Sequence, residues 1–126
     1  MEPQTAHGDR GSDWARPVVH WEIESLDPDR LRAFYAALFN WSITDGPIMS
    51  VEPGIGGPEP GPGGHLRRSD RSRVNLYVQV RDLTASLALV SELGGTVVGE
   101  AFDVPGGPTL ANIADPEGNA VVLVQQ

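Results

Sequence analysis

The stretch VHWEIESLD, residues Val19–Asp27, recurs as VNLYVQVRD, residues Val74–Asp82, at an offset of 55 residues. Both copies alternate apolar and other side chains, which predicts a β-strand with two chemically different faces. Each copy is followed by apolar residues at helical spacing, so a strand followed by a helix is predicted twice. Because both copies must build the same unit, the repeat constrains the architecture more firmly than local propensity does.

A helix over residues 28–39 is predicted by the residues at both of its ends. Asp27 can accept hydrogen bonds from free backbone N–H groups, and Pro28 has no N–H to satisfy at the first helical position. Asn40 tolerates the positive φ with which many helices end. The helix of the second copy, over residues 83–93, ends in the same way at a pair of glycines.

Further strands are expected to complete each half. One begins at Trp41 and Ile43 in the first half, and its counterpart begins at Thr96 and Val98 in the second. The fold class predicted is α+β, with two βαβββ modules related by a pseudo-two-fold axis. The remaining predicted strands cover residues 48–51, 65–68, 109–114 and 120–125.

The domain organisation follows from the repeat. A single domain is expected over residues 17–126, with module one at 17–70 and module two at 71–126, after a flexible tail at 1–16. The stretch at 52–64 contains too much glycine and proline for a regular strand and is predicted to be a loop. It is either a lid over a pocket or a connection without a role.

Charge and composition exclude several classes of protein. The net charge of −8 disfavours binding to a phosphate backbone, so no nucleic-acid partner is expected. The chain has no cysteine, which excludes thiolate metal sites and cysteine nucleophiles. No apolar run reaches the ~18 residues that span a bilayer, and no apolar signal segment is present, so we expect a cytoplasmic protein without a membrane partner. One basic cluster is either a solvated connection or an anion-binding patch: Arg67, Arg68, Arg71 and Arg73.

Alternate side chains of a strand point to opposite sides, so each repeated strand has an apolar face and a polar face. The apolar faces are expected to pack beneath the helices. The polar faces either share a concave cavity or lie open to water. The apolar set is Val19, Trp21, Ile23, Val74, Leu76 and Val78, and the polar set is His20, Glu22, Glu24, Asn75, Tyr77 and Gln79.

Two segments resemble the vicinal oxygen chelate superfamily, which includes glyoxalase I, the bleomycin resistance proteins and the extradiol dioxygenases. VVHWEIESLDPDRLRAFYAALFNW, residues 18–41, is similar to the family's opening strand and helix. ADPEGNAVVLVQ, residues 114–125, is similar to its closing turn and strand. The resemblance covers about residues 17–126. It implies a curved mixed sheet that forms a half-barrel around a central cleft, often with a divalent metal at its floor.

The resemblance also implies where metal ligands would stand, on the first and last strands of each module. Transferred position by position, these places are His20, Arg67, Asn75 and Val122. Only His20 is a competent ligand, which is fewer than the three protein ligands expected at a catalytic metal. A register slip of two residues would present His65 instead of Arg67. His20, His65 and Glu22 could then form a two-histidine, one-carboxylate set for Fe, Mn, Ni or Zn.

Three functions remain open at this point. The first is a protein without a cofactor that binds a small molecule with an anionic or carbonyl group. The second is a metal-dependent lyase, isomerase or dioxygenase. The third is metal-free catalysis with His20 or Glu22 as general base. The candidate ligand-binding residues are Trp41, His65, Arg67, Asn75, Tyr77, Gln79, Val122 and Val124.

Within the first hypothesis, Arg67 would contact the anionic or carbonyl group. Trp41 and Tyr77 would supply stacking area, and Val122 and Val124 an apolar wall. A homodimer is also expected, because family members of one-domain length commonly pair. Pairing would cover sheet edges and apolar surface.

Overall fold

The computed structural model describes residues 13–52 and 61–125. The predicted tail and the predicted loop fall largely on residues 1–12 and 53–60, outside the described residues. Seven strands form one curved open sheet in the order β2-β3-β1-β4-β7-β6-β5, with two helices, so the predicted α+β class is confirmed. The elements are β1 (Val18–Ser25), α1 (Pro28–Phe39), β2 (Ile48–Val51), β3 (Gly64–Arg68), β4 (Arg73–Gln79), α2 (Leu83–Glu92), β5 (Thr96–Asp103), β6 (Thr109–Ala114) and β7 (Ala120–Gln125).

Both helices begin at the aspartates that the repeat singled out. The Asp27 side chain accepts a hydrogen bond from the Arg30 backbone N–H, and Asp82 accepts one from the Ala85 N–H. Asn40 ends α1 with φ +58°, in the left-handed region. These contacts satisfy backbone groups that the helix termini leave without partners. Neither helix is long and apolar enough to cross a membrane, within the part of the chain described.

The register between β1 and β4 shows the repeat directly. The two strands are antiparallel at the centre of the sheet, and Trp21 lies opposite Leu76, its repeat counterpart at the offset of 55. On one side of this pair Glu22 lies opposite Asn75, and on the other His20 lies opposite Tyr77. A pseudo-two-fold axis therefore passes between Trp21 and Leu76 and brings the polar faces of both strands together.

The two modules differ in their second strand. Module two has the full strand β5, whereas the corresponding part of module one makes only an isolated bridge between Ile43 and Val51. The expected strand is cut short because a turn follows immediately, with Gly46 at φ +109°. Thr44 closes this turn through hydrogen bonds with the backbone of Ser50. Module one is thus a βαββ unit with one added bridge.

The predicted apolar face of the central strands is only partly covered. Trp21 and Ile23 pack with α1, as expected, but Val74 and Leu76 are 61% and 45% exposed. The reason is that α2 packs over β5 and β7 rather than over β4. Val19 lies on the other side of the sheet, because β1 has one extra residue there relative to β4, and this bulge reverses the alternation.

Candidate functional site

A cleft of about 670 Å³ lies on the face of the sheet away from the helices. Its position follows from strand alternation, since intervening residues such as Trp21, Leu66 and Leu123 belong to the helix-side cores. The volume is in the range of small-molecule sites. The cleft is lined by Val19, His20, Glu22, Ile48, His65, Arg67, Tyr77, Gln79, Phe102, Val104, Pro108, Leu110, Asn112, Val122 and Val124.

Most of the side chains singled out from the sequence meet in this cleft. Central strands β1 and β4 contribute one group, and the flanking strands β3 and β7 contribute the other. The residues concerned are His20, Glu22, His65, Arg67, Tyr77, Gln79, Val122 and Val124. Their shared location is a property of the fold, and the roles assigned to them stay predictions.

Two predicted ligand-binding residues do not line the cleft. Trp41 lies on the helix side, where its ring is 5.2 Å from that of Trp21 and 5.4 Å from that of Tyr35, measured between centroids. It packs with the apolar core of module one, because the short segment after α1 turns toward the helix. The expectation that Trp41 stacks on a ligand is therefore wrong for this cleft.

Asn75 is buried below the floor of the cleft and is 4% exposed. Its Nδ2 donates to Glu22 Oε1 and to Glu24 Oε2, both at 2.7 Å. Its Oδ1 accepts from Arg73 Nε at 3.1 Å. Asn75 thus holds two carboxylates in place instead of facing a ligand.

The sheet also settles the register of the first module's last strand. His65 pairs with Glu22 across β3 and β1, and Val122 pairs with Tyr77 across β7 and β4. Tyr77 is the repeat counterpart of Glu22, so His65 is the counterpart of Val122. The ungapped alignment that placed Arg67 there is wrong by two residues, since the Gly/Pro stretch before β3 differs in length from its counterpart.

Glu22, His65 and His20 form a hydrogen-bonded chain in the cleft. Nε2 of His65 lies 2.8 Å from Glu22 Oε2, and Nδ1 of His65 lies 2.8 Å from Nε2 of His20. A carboxylate can only accept, so His65 donates from Nε2. In neutral His65, Nδ1 then accepts from the Nε2–H of His20.

Glu22 is held as a carboxylate by three donors. His65 Nε2 and Arg67 Nε both contact Oε2 at 2.8 Å, and Asn75 contacts Oε1. Burial by itself raises the pKa of Glu22, but these hydrogen bonds together lower the pKa to about 2. A carboxylate with so low a pKa and so many donors is a poor general base.

Glu24 is 2% exposed and is surrounded by the basic cluster. Ser69 Oγ donates to Oε1 at 2.8 Å and Arg71 Nε at 3.0 Å, while Arg73 Nε lies 3.6 Å from Oε2. Burial raises the pKa of Glu24, and the bonds from Asn75, Arg71 and Ser69 outweigh it and lower the pKa to about 2. Most of the cluster therefore neutralises buried carboxylates.

Tyr77 lines the cleft between His20 and Val122. Its ring meets that of His20 edge to face, with the centroids 5.1 Å apart. Burial, together with the nearby Glu22 carboxylate, raises the pKa of Tyr77 to about 12. The phenol is therefore protonated at neutral pH and can donate a hydrogen bond.

The divalent metal implied by the resemblance does not fit the side chains as they stand. In the corrected register the four positions are His20, His65, Asn75 and Val122. Both ring nitrogens of His65 are in hydrogen bonds, and the amide oxygen of Asn75 accepts from Arg73. Valine has no donor atom. Among residues 13–52 and 61–125, no group of three His, Cys, Asp or Glu side chains is arranged to hold a metal ion.

The part of the lining that comes from β5, β6 and the turn between them was not predicted from the sequence. Leu110 lies opposite Val124, and Asn112 lies opposite Val122, on neighbouring strands. Alternation along residues 109–114 was the available signal, because it places both on the face that Val122 and Val124 share. The rest of this wall comes from the C-terminal end of β5 and the turn after it, and consists of Phe102, Val104 and Pro108.

Comparisons with known proteins agree with this fold. The model of the family described as a glyoxalase-like domain matches residues 20–124. Curated relatives from Mycobacterium bovis and Mycobacterium tuberculosis, both named "Putative glyoxylase CFP32", are 29% identical over 129 residues. The alignment covers 90% of this chain and 48% of the relative, so the chain spans about half the length of these curated relatives.

Solved structures share the fold at low identity. A glyoxalase/bleomycin resistance protein/dioxygenase superfamily member from Vibrio splendidus has a TM-score of 0.64 at 15% identity, over 89% of this chain and 100% of that one. The Mn(II)-bound glyoxalase from Novosphingobium aromaticivorans has a TM-score of 0.59 at 22% identity, over 87% and 38%. The family model spans most of the chain. The chain therefore belongs to the glyoxalase-like domain family, within the superfamily that its sequence resembles.

Proposed function

We propose that the cleft binds a small molecule that carries an anionic or carbonyl oxygen on an apolar body, and that it does so without a metal. The observation that carries this proposal is the position of Arg67. Its side chain is 40% exposed and lines the cleft, and Val122 and Val124, on a strand farther along the sheet, form part of an apolar wall of the same cleft. A cleft that has both a charged side chain and an apolar wall suits a ligand that carries a polar group on an apolar body.

The local charge favours an anion over a cation. The three guanidinium groups of Arg67, Arg71 and Arg73 face the two carboxylates of Glu22 and Glu24. The cluster therefore carries one net positive charge when all five groups are ionised. Arg71 and Arg73 do not line the cleft, whereas Arg67 does, so the Arg67 guanidinium is the positive group that would attract a carboxylate or an enolate oxygen and repel a divalent ion.

Two hydrogen-bond donors are available for that oxygen. Arg67 Nε donates a hydrogen bond to Glu22, and Arg67 Nη2 lies 3.3 Å from Glu24. Arg67 Nη1 makes no hydrogen bond to a described residue. The protonated Tyr77 hydroxyl is the second donor. The relatives support a small molecule as the ligand, since their names refer to glyoxylase, glyoxalase and bleomycin resistance activities.

The proposal is tested by calorimetric titration with phenylpyruvate, which joins a carboxylate and a ketone to an aromatic body. Wild-type protein in EDTA is expected to bind it, and to bind 2-phenylethanol far more weakly. Arg67→Ala should weaken binding roughly tenfold to a hundredfold, the range for a hydrogen bond to a charged group. The matched control is Arg68→Ala, since Arg68 contacts the Leu26 carbonyl instead of the cleft. Equal affinity in wild type and Arg67→Ala, or no binding of phenylpyruvate, would overturn the proposal.

One observation favours the alternative, a metal-dependent lyase, isomerase or dioxygenase. With β3 in the register observed, His20 and His65 stand at two of the positions where the resemblance implies metal ligands. Glu22 is near enough to complete the set that the sequence suggested. A metal would have to displace the hydrogen bonds that now join these three side chains. A metal titration separates the two proposals and is described below.

A further inference from the structure

We propose that Arg71 and Arg73 form a second binding site, outside the cleft, for a small oxyanion such as phosphate. Arg71 lies in the turn between β3 and β4, and Arg73 is the first residue of β4. Neither side chain lines the cleft, so this site is separate from the one proposed around Arg67. It requires no particular ligand in the cleft.

Both arginines are anchored on the buried side chains of Glu24 and Asn75. Arg71 Nε lies 3.0 Å from Glu24 Oε1, and Arg73 Nε lies 3.6 Å from Glu24 Oε2. Arg73 Nε also donates to Asn75 Oδ1 at 3.1 Å. Because Glu24 and Asn75 are buried, these anchors are held by the surrounding protein. The two guanidinium groups are thereby brought to one carboxylate before any ligand arrives, which reduces the entropy lost on binding.

The anchoring contacts use one nitrogen of each guanidinium group. No Nη atom of Arg71 or Arg73 makes a hydrogen bond within the part of the chain that the structure describes. The two side chains are 53% and 38% exposed. The paired Nη1 and Nη2 donors of arginine match two oxygens of a carboxylate or phosphate, and lysine has no such pair. Each arginine therefore has a bidentate edge left for an anion.

The charge at this site favours an anion. The described ion pairs of Arg71 and Arg73 are both to Glu24, and one carboxylate offsets only one of two guanidinium groups. Asp70, in the same turn, is exposed and forms no ion pair with either arginine among the described residues, so solvent screens its charge. One positive charge therefore remains at this place, on a chain whose net charge is −8.

A tetrahedral anion suits two bidentate edges better than a carboxylate does. Phosphate carries more negative charge than acetate near neutral pH, and its separate oxygens can accept from Arg71 and from Arg73. Acetate has only two oxygens, and one guanidinium edge occupies both. The site is therefore expected to prefer phosphate, either free or as the phosphomonoester group of a larger molecule.

The test is titration with inorganic phosphate at constant ionic strength, followed by nitrogen-15 NMR at the arginine Nε–H groups. The resonances of Arg71 and Arg73 should shift together, with a dissociation constant in the low millimolar range or tighter. Acetate should cause a far weaker response. A titration with glycerol 3-phosphate distinguishes the two sources of the anion: tighter binding than phosphate indicates a phosphomonoester, and equal or weaker binding indicates free phosphate.

Arg71→Lys is the main variant, because lysine keeps a positive charge beside Glu24 and loses the paired donors. It should remain folded and weaken phosphate binding by about tenfold or more, the range for a hydrogen bond to a charged group. Arg73→Lys should have the same effect. The matched control is Arg81→Lys, which changes an arginine of similar exposure, 59%, that pairs with Asp13. It should leave phosphate binding unchanged.

Arg67→Ala separates this site from the cleft. Phosphate binding that is weakened in Arg71→Lys and retained in Arg67→Ala would support a second site. Loss of phosphate binding in Arg67→Ala would place the anion in the cleft and overturn the inference. No response to phosphate, equal responses to phosphate and acetate, or equal effects of Arg71→Lys and Arg81→Lys would overturn it as well. None of these results changes the phenylpyruvate titration, which tests the proposed function separately.

Discussion

The indole ring of Trp21 lies directly against the backbone of Gly64. A Cβ built on this glycine would come within 2.1 Å of the ring, far closer than atoms can approach. The indole Nε1 also donates to the Pro62 carbonyl at 3.1 Å, which fixes the ring over the start of β3. Since β3 carries His65 and Arg67, this contact sets the position of half of the polar cleft.

Gly64→Ala is therefore expected to destabilise the fold by about 1–3 kcal/mol, because the ring or the strand must shift to admit the methyl group. Urea denaturation gives the free energy of unfolding. Gly61→Ala is the matched control, since a Cβ there meets no atom of a described residue within 4 Å, and it should change stability by no more than about 0.5 kcal/mol. Equal effects of the two substitutions would contradict this account of the contact.

The buried carboxylates make stability depend on pH. The pKa of Glu24 is about 2 in the folded state against a usual value of 4.5, so the unfolded chain binds more protons between these values. The free energy of unfolding should therefore fall as pH drops from about 5 toward 2, with Glu24 contributing on the order of 1–3 kcal/mol. Glu24→Gln should be less stable at pH 7 and should flatten this decline.

The control for this pH dependence is Asp45→Asn. Asp45 forms an exposed ion pair with Arg32, a type that contributes little to stability. Urea denaturation at a series of pH values should give the Asp45→Asn protein the same slope as the wild type. An unchanged slope in Glu24→Gln would show that the hydrogen bonds from Asn75, Arg71 and Ser69 do not stabilise the ionised form of Glu24.

The metal-free proposal predicts no tight stoichiometric binding of Mn, Fe, Ni or Zn. The protein is incubated with each ion in turn, desalted and subjected to elemental analysis. We expect well under one ion per chain, because His65 and Glu22 are engaged with other partners. One-to-one binding that is lost in His20→Ala and in His65→Ala would instead establish the metal-dependent alternative.

A homodimer remains our expectation for the quaternary state. Repeat-related positions on the two helices expose large apolar side chains: Phe34 and Leu38 on α1, and Leu89 and, just after α2, Leu93. Exposed apolar surface of this kind is often covered by another chain. Light scattering should give about twice 13.5 kDa at micromolar concentration. A mass near 13.5 kDa at every concentration would rule the dimer out.

The sequence predicted what local chemistry determines. The capping aspartates and strand alternation place both helices, most strands and most polar cleft residues correctly. The register of β3 could not be predicted from the sequence, because pairing with β1 across the sheet decides whether His65 or Arg67 stands beside Glu22. The exposure of Val74 and Leu76 depends on where α2 packs, and the alternation along β4 does not encode that position. Asn75 was assigned to the ligand because its carboxylate partners, Glu22 and Glu24, come from a distant strand. Trp41 was assigned to it because strand alternation gave no sign that its ring packs with the aromatic rings of α1.

The unequal halves of the pseudo-symmetric sheet have a stereochemical consequence. His20, His65 and Arg67 all come from module one, whereas Val122, Val124 and their apolar neighbours come from module two. A ligand with one polar and one apolar end should therefore lie in the cleft in a preferred direction, and its two sides then face unequal surroundings. The cleft should accordingly bind the two enantiomers of a chiral ligand of this kind with different affinities.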